Sequence, residues 1–259
     1  MRGVNRTLSA VLSQAVEDAF LPANPAFRMG KYLRNGDELP VEVQPLTREE
    51  AHALLLKAEE VFPEYYGLFL CALRTGMRLG ELLALQWGDL DLGGRFIDVR
   101  RSRVAGKLTS TKNKQRRRVD MSLELTKTLR RLRTDRKRAA LKAGKPVAPW
   151  VFVTPDGHPV DGDNLRKRVF YRLLEKAGLR DIRFHDLRHT YASLLIQQGE
   201  SLAYVQQQLG HSSIQVTVDI YGHLIPGANR AAVDRLDARP VRNPGATGDT
   251  KSEGAERAK

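Results

Sequence analysis

Residues 183–224 permit little besides three short helices joined by tight turns. The run is RFHDLRHTYASLLIQQGESLAYVQQQLGHSSIQVTVDIYGHL, and its apolar residues recur at helical spacing in three segments. Gly199 stops the first (186–198), Gly210 stops the second (201–209), and the third runs from Ser212 to about Tyr221. Such a stretch also sets out chemistry at fixed spacing. His185 and Arg188 stand three apart and share a helix face. With Asp186 or a neighbour as cap, both lie in the first turn, where free N–H groups and the dipole attract an anion. His211 follows the second glycine, and Tyr221 ends the third segment. An arginine, two histidines and a tyrosine around an anion make a site suited to attack on a phosphodiester. Such a site needs a second arginine, a lysine and a surface for DNA, and all three types occur upstream.

Upstream, Thr47-Arg-Glu-Glu50 is a capping box opening a helix that turns Ala51, Leu54, Leu55 and Ala58 inward. Pro63 suits the first turn of a second helix, which Gly76 ends as a left-handed cap. A third carries Leu79, Leu82, Leu83 and Leu85 and stops at Trp87-Gly88. Arg78 falls where the chain reverses, with Glu81 three residues on and able to fix its fork. From Arg95 the period changes, and Phe96–Arg100, Arg103-Val104 and Arg117–Met121 read as short strands of a small antiparallel sheet. Lys112 and Lys114 lie on the turn into the last of these.

Ser122 caps a long helix to about Ala143, with Leu125, Leu129 and Leu132 inward and a dense basic face outward. One further strand is expected near 150–153, then a turn holding His158 as an exposed loop residue. A helix over 163–177 follows, carrying Arg166 and Lys167 and ended by Gly178. The fold class is therefore mixed α+β, mainly helical with a small antiparallel sheet. Residues 1–29 hold one amphipathic helix (5–19), residues 30–46 a polar linker, and residues 47–225 the main domain. A weak helix (228–236) and a Pro/Gly/Lys/Glu-rich tail expected to be disordered make up 226–259.

Charge narrows the partner. The chain has 43 Lys and Arg against 30 Asp and Glu, a formal +13. Residues 100–145 alone hold 18 basic and 3 acidic residues, so a local +15 leaves the remainder slightly acidic. A charge run is usually a solvated helix face, but an excess spread over several consecutive elements is the footprint of a nucleic-acid partner. No apolar run is long enough for a membrane helix, and no signal-peptide core is present. The single cysteine, Cys71, lies in an apolar run and reads as a buried structural residue in a reducing compartment. Tyr191 and Tyr204 are expected in the core.

His185-Asp-Leu-Arg188-His, Leu-Gly-His211 and Asp-Ile-Tyr221-Gly-His resemble the box II signature of tyrosine recombinases, the phage-integrase family. Thr75-Gly-Met-Arg78-Leu-Gly-Glu81 resembles the same family's box I. The likeness runs from about Leu46 to about Leu224. It implies that Arg78 is the first phosphate-clamping arginine and Glu81 its supporting acid. It implies a hairpin lysine that protonates the departing oxygen, Lys112 by its spacing to Val119, with Lys114 as the alternative. Contact with backbone phosphates is the alternative for Lys112 and Lys114. The resemblance also implies a 3′-phosphotyrosyl intermediate and strand exchange by the freed 5′ hydroxyl. The DNA would carry a specific recombination site, with a tetramer assembled on it and DNA-bending accessory proteins possible. No metal and no nucleotide cofactor are implied. The helix of 5–19 resembles the last helix of the core-binding domain that precedes the catalytic domain in integrases, so residues 1–29 read as a remnant of it. A bacterial or phage-encoded protein acting in the cytoplasm, at the nucleoid, fits this reading.

The chemistry asked of these residues is definite. Two guanidiniums, Arg78 and Arg188, neutralise the non-bridging oxygens without losing charge. Tyr221 attacks and conserves bond energy in the ester it forms. His185 accepts or returns the phenolic proton, and His211 hydrogen-bonds the phosphate as charge builds. Arg116, Arg117, Lys114, Arg166 and Lys167 are candidates for holding the DNA. His189 and His223 read as neighbours of the site. Three alternatives compete. A metallohydrolase would use His185 and His189 four apart, although Arg188 between them repels a cation. A type IB topoisomerase shares the chemistry without exchanging strands. A recombinase remnant would bind DNA without recombining it.

Overall fold

The structure is a computed structural model that describes residues 2–29, 44–104, 106–110 and 117–224. Lys112, Lys114 and Arg116, most of the 30–46 linker, the helix over 228–236 and the tail lie outside the described residues. The chain divides into two compact units, Met1–Gln44 and Pro45–Lys259.

In the first unit, helix α1 spans Arg2–Glu17. Asn24 folds back on it, donating to the Ser9 carbonyl (2.9 Å) and the Ser13 hydroxyl (2.8 Å). Leu8 and Val11 on this helix are exposed.

In the second unit, helix α2 (Arg48–Val61) opens on the expected capping box. The Glu50 N–H donates to Thr47 Oγ1 at 3.1 Å, and the Thr47 N–H to Glu50 Oε2 at 2.8 Å. Helix α3 (Pro63–Thr75) starts on its proline and ends at Gly76 with φ 59°. A side chain at Gly76 would also meet Tyr191 at 2.5 Å, so the turn needs glycine on both counts. Cys71 is fully buried in α3. Helix α4 covers only Leu79–Leu83, shorter than expected. It stops because the backbone at 85–87 pairs elsewhere: the Trp87 N–H donates to the Pro149 carbonyl and the Val151 N–H to the Leu85 carbonyl.

Strands β1 (Leu90–Asp91), β2 (Phe96–Val99) and β5 (Arg117–Asp120) form an antiparallel sheet in that order, with Ile97 opposite Val119. Strands β3 (Arg101–Val104) and β4 (Lys107–Ser110) form a separate hairpin. The anticipated single sheet is thus two, and β4 is an element the sequence did not mark. The strand expected near 150–153 is absent: only isolated bridges join Gln86 to Trp150 and Val153 to Pro159.

Helix α5 (Leu123–Lys142) begins where Ser122 Oγ accepts from the Leu125 N–H. The helix expected over 163–177 is continuous but mixed. One α-turn, α6 (Gly162–Asn164), leads into a wide π-type turn (Leu165–Phe170) and then helix α7 (Tyr171–Lys176). Helices α8 (Asp186–Gln197), α9 (Leu202–Leu209) and α10 (Ile214–Tyr221) complete the described part, with Gly199 and Gly210 both at positive φ.

The main core centres on Phe69, Phe170 and Phe184, whose ring centroids lie 5.3–6.3 Å apart. A smaller cluster of Tyr191, Ala192, Ile196, Val205, Leu209 and Tyr221 ties α8, α9 and α10 together. Tyr204 is half-buried rather than core, and its hydroxyl donates to Asp120 Oδ2 at 2.8 Å. His158 is exposed on its turn. No helix among the described residues is long and apolar enough to cross a membrane.

Candidate active site

Arg78 sits between the left-handed Gly76 and the start of α4, in extended conformation, so the reversal aims it outward from a packed corner. Its side chain is 44 % exposed, while Glu81 one turn on is 3 % exposed. Glu81 accepts from the Arg78 backbone N–H at 2.9 Å and from Arg78 Nη1 at 3.1 Å. It also takes the whole fork of Arg117, Nη1 at 2.9 Å and Nη2 at 2.7 Å. Burial alone would raise the Glu81 carboxyl; hydrogen bonds and charge from Arg117, then Arg78, outweigh it and hold the carboxyl below its ordinary value.

Arg117 is therefore committed inward. Its Nε donates to the Gln208 carbonyl at 3.1 Å, and only 10 % of the side chain is exposed. The sequence read it as a DNA contact among other arginines of a basic run. The structure instead places it as a brace between β5, α4 and the end of α9.

Arg188 is buried in the first turn of α8. Its Nη1 donates to the Gly76 carbonyl at 2.8 Å and its Nη2 to the Leu209 carbonyl at 2.7 Å. Those two carbonyls precede the corner of Arg78 and the Gly210-His211 step, so one guanidinium joins the start of α8 to both turns. Burial, with the positive fields of Arg78 and then Arg117, brings the Arg188 guanidinium down to about 9, still charged at neutral pH. Cations crowded to that degree make a site for an anion.

His211 follows Gly210, where φ is 65°, and its Nδ1 is 2.9 Å from Thr217 Oγ1. Its ring lies parallel to that of Tyr221, centroids 6.4 Å apart. Burial, then Arg188 and Arg78, lower its pKa to about 4, so the imidazole is neutral. His185 immediately precedes α8 without a side-chain capping bond, and burial followed by Arg188 also lowers its pKa. Its imidazole makes no hydrogen bond among the described residues.

Tyr221 ends α10 and is 2 % exposed. Its hydroxyl is 2.7 Å from Nδ1 of His189, a residue the sequence set down as a bystander. Burial, opposed by Arg188, pushes the phenol up to about 12. His189 stands between His185, whose ring meets it edge-on at 5.1 Å, and Tyr221. The signal for His189 was present in the four-residue spacing from His185, but that spacing suggested a metal pair. In the structure its Nδ1 is taken up by the nucleophile candidate.

Arg78, Arg188, His185, His211 and Tyr221 are thus brought together, with Glu81 beneath Arg78. Arg166 and Lys167 are exposed on the π-type turn, with Arg166 paired to Asp163. Arg103 faces the same cleft between the β3–β4 hairpin and α6 as Arg166.

A mainly helical domain with a small sheet, gathering arginines, histidines and a tyrosine at helix turns, defines a class shared with known proteins. The profile of the phage integrase family matches residues 44–226, and the chain belongs to that family. Among its relatives, a XerC-like tyrosine recombinase of Caldanaerobacter subterraneus subsp. tengcongensis is 30 % identical over 257 residues, covering 92 % of this chain and 65 % of the relative. The ICEBs1 integrase of Bacillus subtilis is 29 % identical over 255 residues, with the same two coverages. The chain therefore spans slightly under two thirds of the length of these relatives. The Tn1549 transposon integrase, in complex with a circular intermediate DNA, superposes with a TM-score of 0.72 at 25 % identity, over 91 % of this chain and 78 % of that one. A lambda integrase dimer bound to a core site has a TM-score of 0.58 at 18 % identity, a likeness of fold, covering 82 % of this chain and 72 % of that one.

Proposed function

We propose that this chain is the catalytic part of a site-specific DNA recombinase that cuts and rejoins strands through a 3′-phosphotyrosyl intermediate on Tyr221. The observation that carries the reading is the anchoring of Arg188 to the Gly76 and Leu209 carbonyls. It draws a corner and a turn from distant parts of the sequence around one buried cation. On this reading Arg78 and Arg188 grip the non-bridging oxygens of the scissile phosphate, Arg78 from solvent and Arg188 from the floor. Arg188 is near enough to Tyr221 for the two charges to influence each other, so a phosphate held there lies next to the phenol. His211 hydrogen-bonds the phosphate as charge grows in the transition state. His185, expected from the sequence to take the phenolic proton, has no hydrogen bond to Tyr221 and is assigned to the phosphate beside His211. Lys112 protonates the departing 5′ oxygen.

Binding is to double-stranded DNA at a specific site, through Lys114, Arg116, Arg166 and Lys167. Exchange between two duplexes calls for four protomers, and DNA-bending accessory proteins complete the assembly. Residues 47–225 are the catalytic domain and 1–29 the end of a core-binding domain, and the protein works on nucleoid DNA. The DNA held by the Tn1549 integrase supports the choice of partner.

The test is a library of nicked suicide duplexes with randomised sequence, from which covalent protein–DNA adducts are recovered and sequenced. One enriched site with wild type, and no adduct with Tyr221→Phe, is the expected result. No adduct with wild type would refute the reading.

A further inference from the structure

From the 2.7 Å contact between the Tyr221 hydroxyl and His189 Nδ1, we infer that His189 is the catalytic residue that receives the phenolic proton as Tyr221 attacks. The inference rests on the proposed strand-cleavage chemistry and names a residue that this chemistry leaves out. A phenol attacking phosphorus must shed its proton, and a general base has to lie within hydrogen-bond reach of that proton. Among the described imidazoles, only His189 does. His211 spends Nδ1 on Thr217 and stacks parallel to the phenol, while the ring of His185 meets that of His189 edge-on. His189 follows Arg188 in the first turn of α8, and Tyr221 closes α10, where an apolar cluster with residues of α8 and α9 holds it.

The groups around His189 keep its imidazole uncharged before the attack. The groups facing it are His185, Asp186 and Arg188 on α8, Arg183 before it, Tyr221 on α10 and His211. Burial, then His185, lowers His189 to about 4, so its imidazole is neutral at working pH, and in the tautomer protonated at Nε2 its Nδ1 accepts from the phenol. In the step, the bond from Tyr221 Oη to phosphorus forms and the bond from phosphorus to the 5′ oxygen breaks. The phenolic proton passes to Nδ1, giving an imidazolium next to the new phosphodiester. The 5′ oxygen leaves with a proton from the acid side. Religation runs the same transfers backwards.

The experiment uses the full chain and the suicide duplex with the 5′ bridging oxygen replaced by sulfur. Sulfur departs without a proton, so the rate reads the attack alone. His189→Ala and His189→Asn are compared with wild type across pH, with DNA affinity and circular dichroism measured alongside. Asn keeps a hydrogen-bonding group near the phenol but takes no proton, and it carries the test should Ala unfold. At neutral pH both variants are expected to cleave at least about 100-fold more slowly. Their deficit should shrink by about tenfold per pH unit as hydroxide or the ionised phenol replaces the base. Wild type should lose rate only as pH falls through about 4. A deficit equal at every pH, an unchanged rate, or a faster variant would overturn the assignment. The last would mean that the hydrogen bond merely restrains Tyr221. No adduct from wild type would instead bring down the strand-cleavage reading and the inference together.

Discussion

Single side chains carry more here than their exposure suggests. Glu81 holds two arginines at once, one facing the substrate side and one braced inside. Removing it strands Arg117 in a nearly buried position, so Glu81→Ala should cost about 3–5 kcal/mol in denaturant unfolding. Because the Glu81 carboxyl is held below its ordinary value of 4.5, its contribution is fully present above that value. It is lost as pH falls through the lower value of the folded state. Acid titration of stability should therefore be shallower in Glu81→Gln than in wild type, and an identical titration would contradict the pairing. Arg188→Lys keeps the charge but cannot reach both the Gly76 and Leu209 carbonyls. It is expected to bind DNA nearly as well as wild type and to form the covalent adduct on the order of 100-fold more slowly. This is measured by single-turnover cleavage.

The elements show why some of this was legible beforehand. Helix ends follow local rules, so the Thr47 capping box, the Gly76 stop and the Gly210 stop could be read directly. His185, Arg188, His211 and Tyr221 were legible because each stands at such an end. Strand β4 was not, since Lys107–Ser110 is mostly polar and finds its partner only when the hairpin closes. The inward turn of Arg117 was hidden for a related reason. In a run of arginines, only the three-dimensional position of Glu81 and Gln208 distinguishes a brace from a surface contact. The hairpin itself depends on a close approach. A side chain at Gly80 would lie 2.5 Å from Ser102 Oγ and 2.8 Å from the Arg103 carbonyl, so α4 and β3 touch backbone to backbone. Gly80→Ala should push the hairpin away from α4. Faster amide exchange across 101–110, with the Phe69 and Phe170 core still protected, is the expected outcome; unchanged exchange would refute it.

At the scale of the molecule, the charge is the organising fact. The segment 100–145 supplies the β3–β4 hairpin and α5, and carries a local +15 on a chain that is otherwise near neutral. Affinity for duplex DNA should fall steeply with salt, log K dropping by about 0.9 per phosphate contacted for each decade. A flat response in filter binding or anisotropy would show that this surface does not face DNA. The convergence of two arginines, three histidines and one tyrosine makes a narrower claim, that DNA becomes joined to one particular oxygen. The most direct measurement is proteolysis of the trapped protein–DNA adduct followed by mass mapping of the modified peptide. The expected product is a single peptide with a nucleotide 3′-phosphate on Tyr221. Attachment at Tyr191, Tyr204 or any other residue, or an adduct that survives Tyr221→Phe, would contradict it.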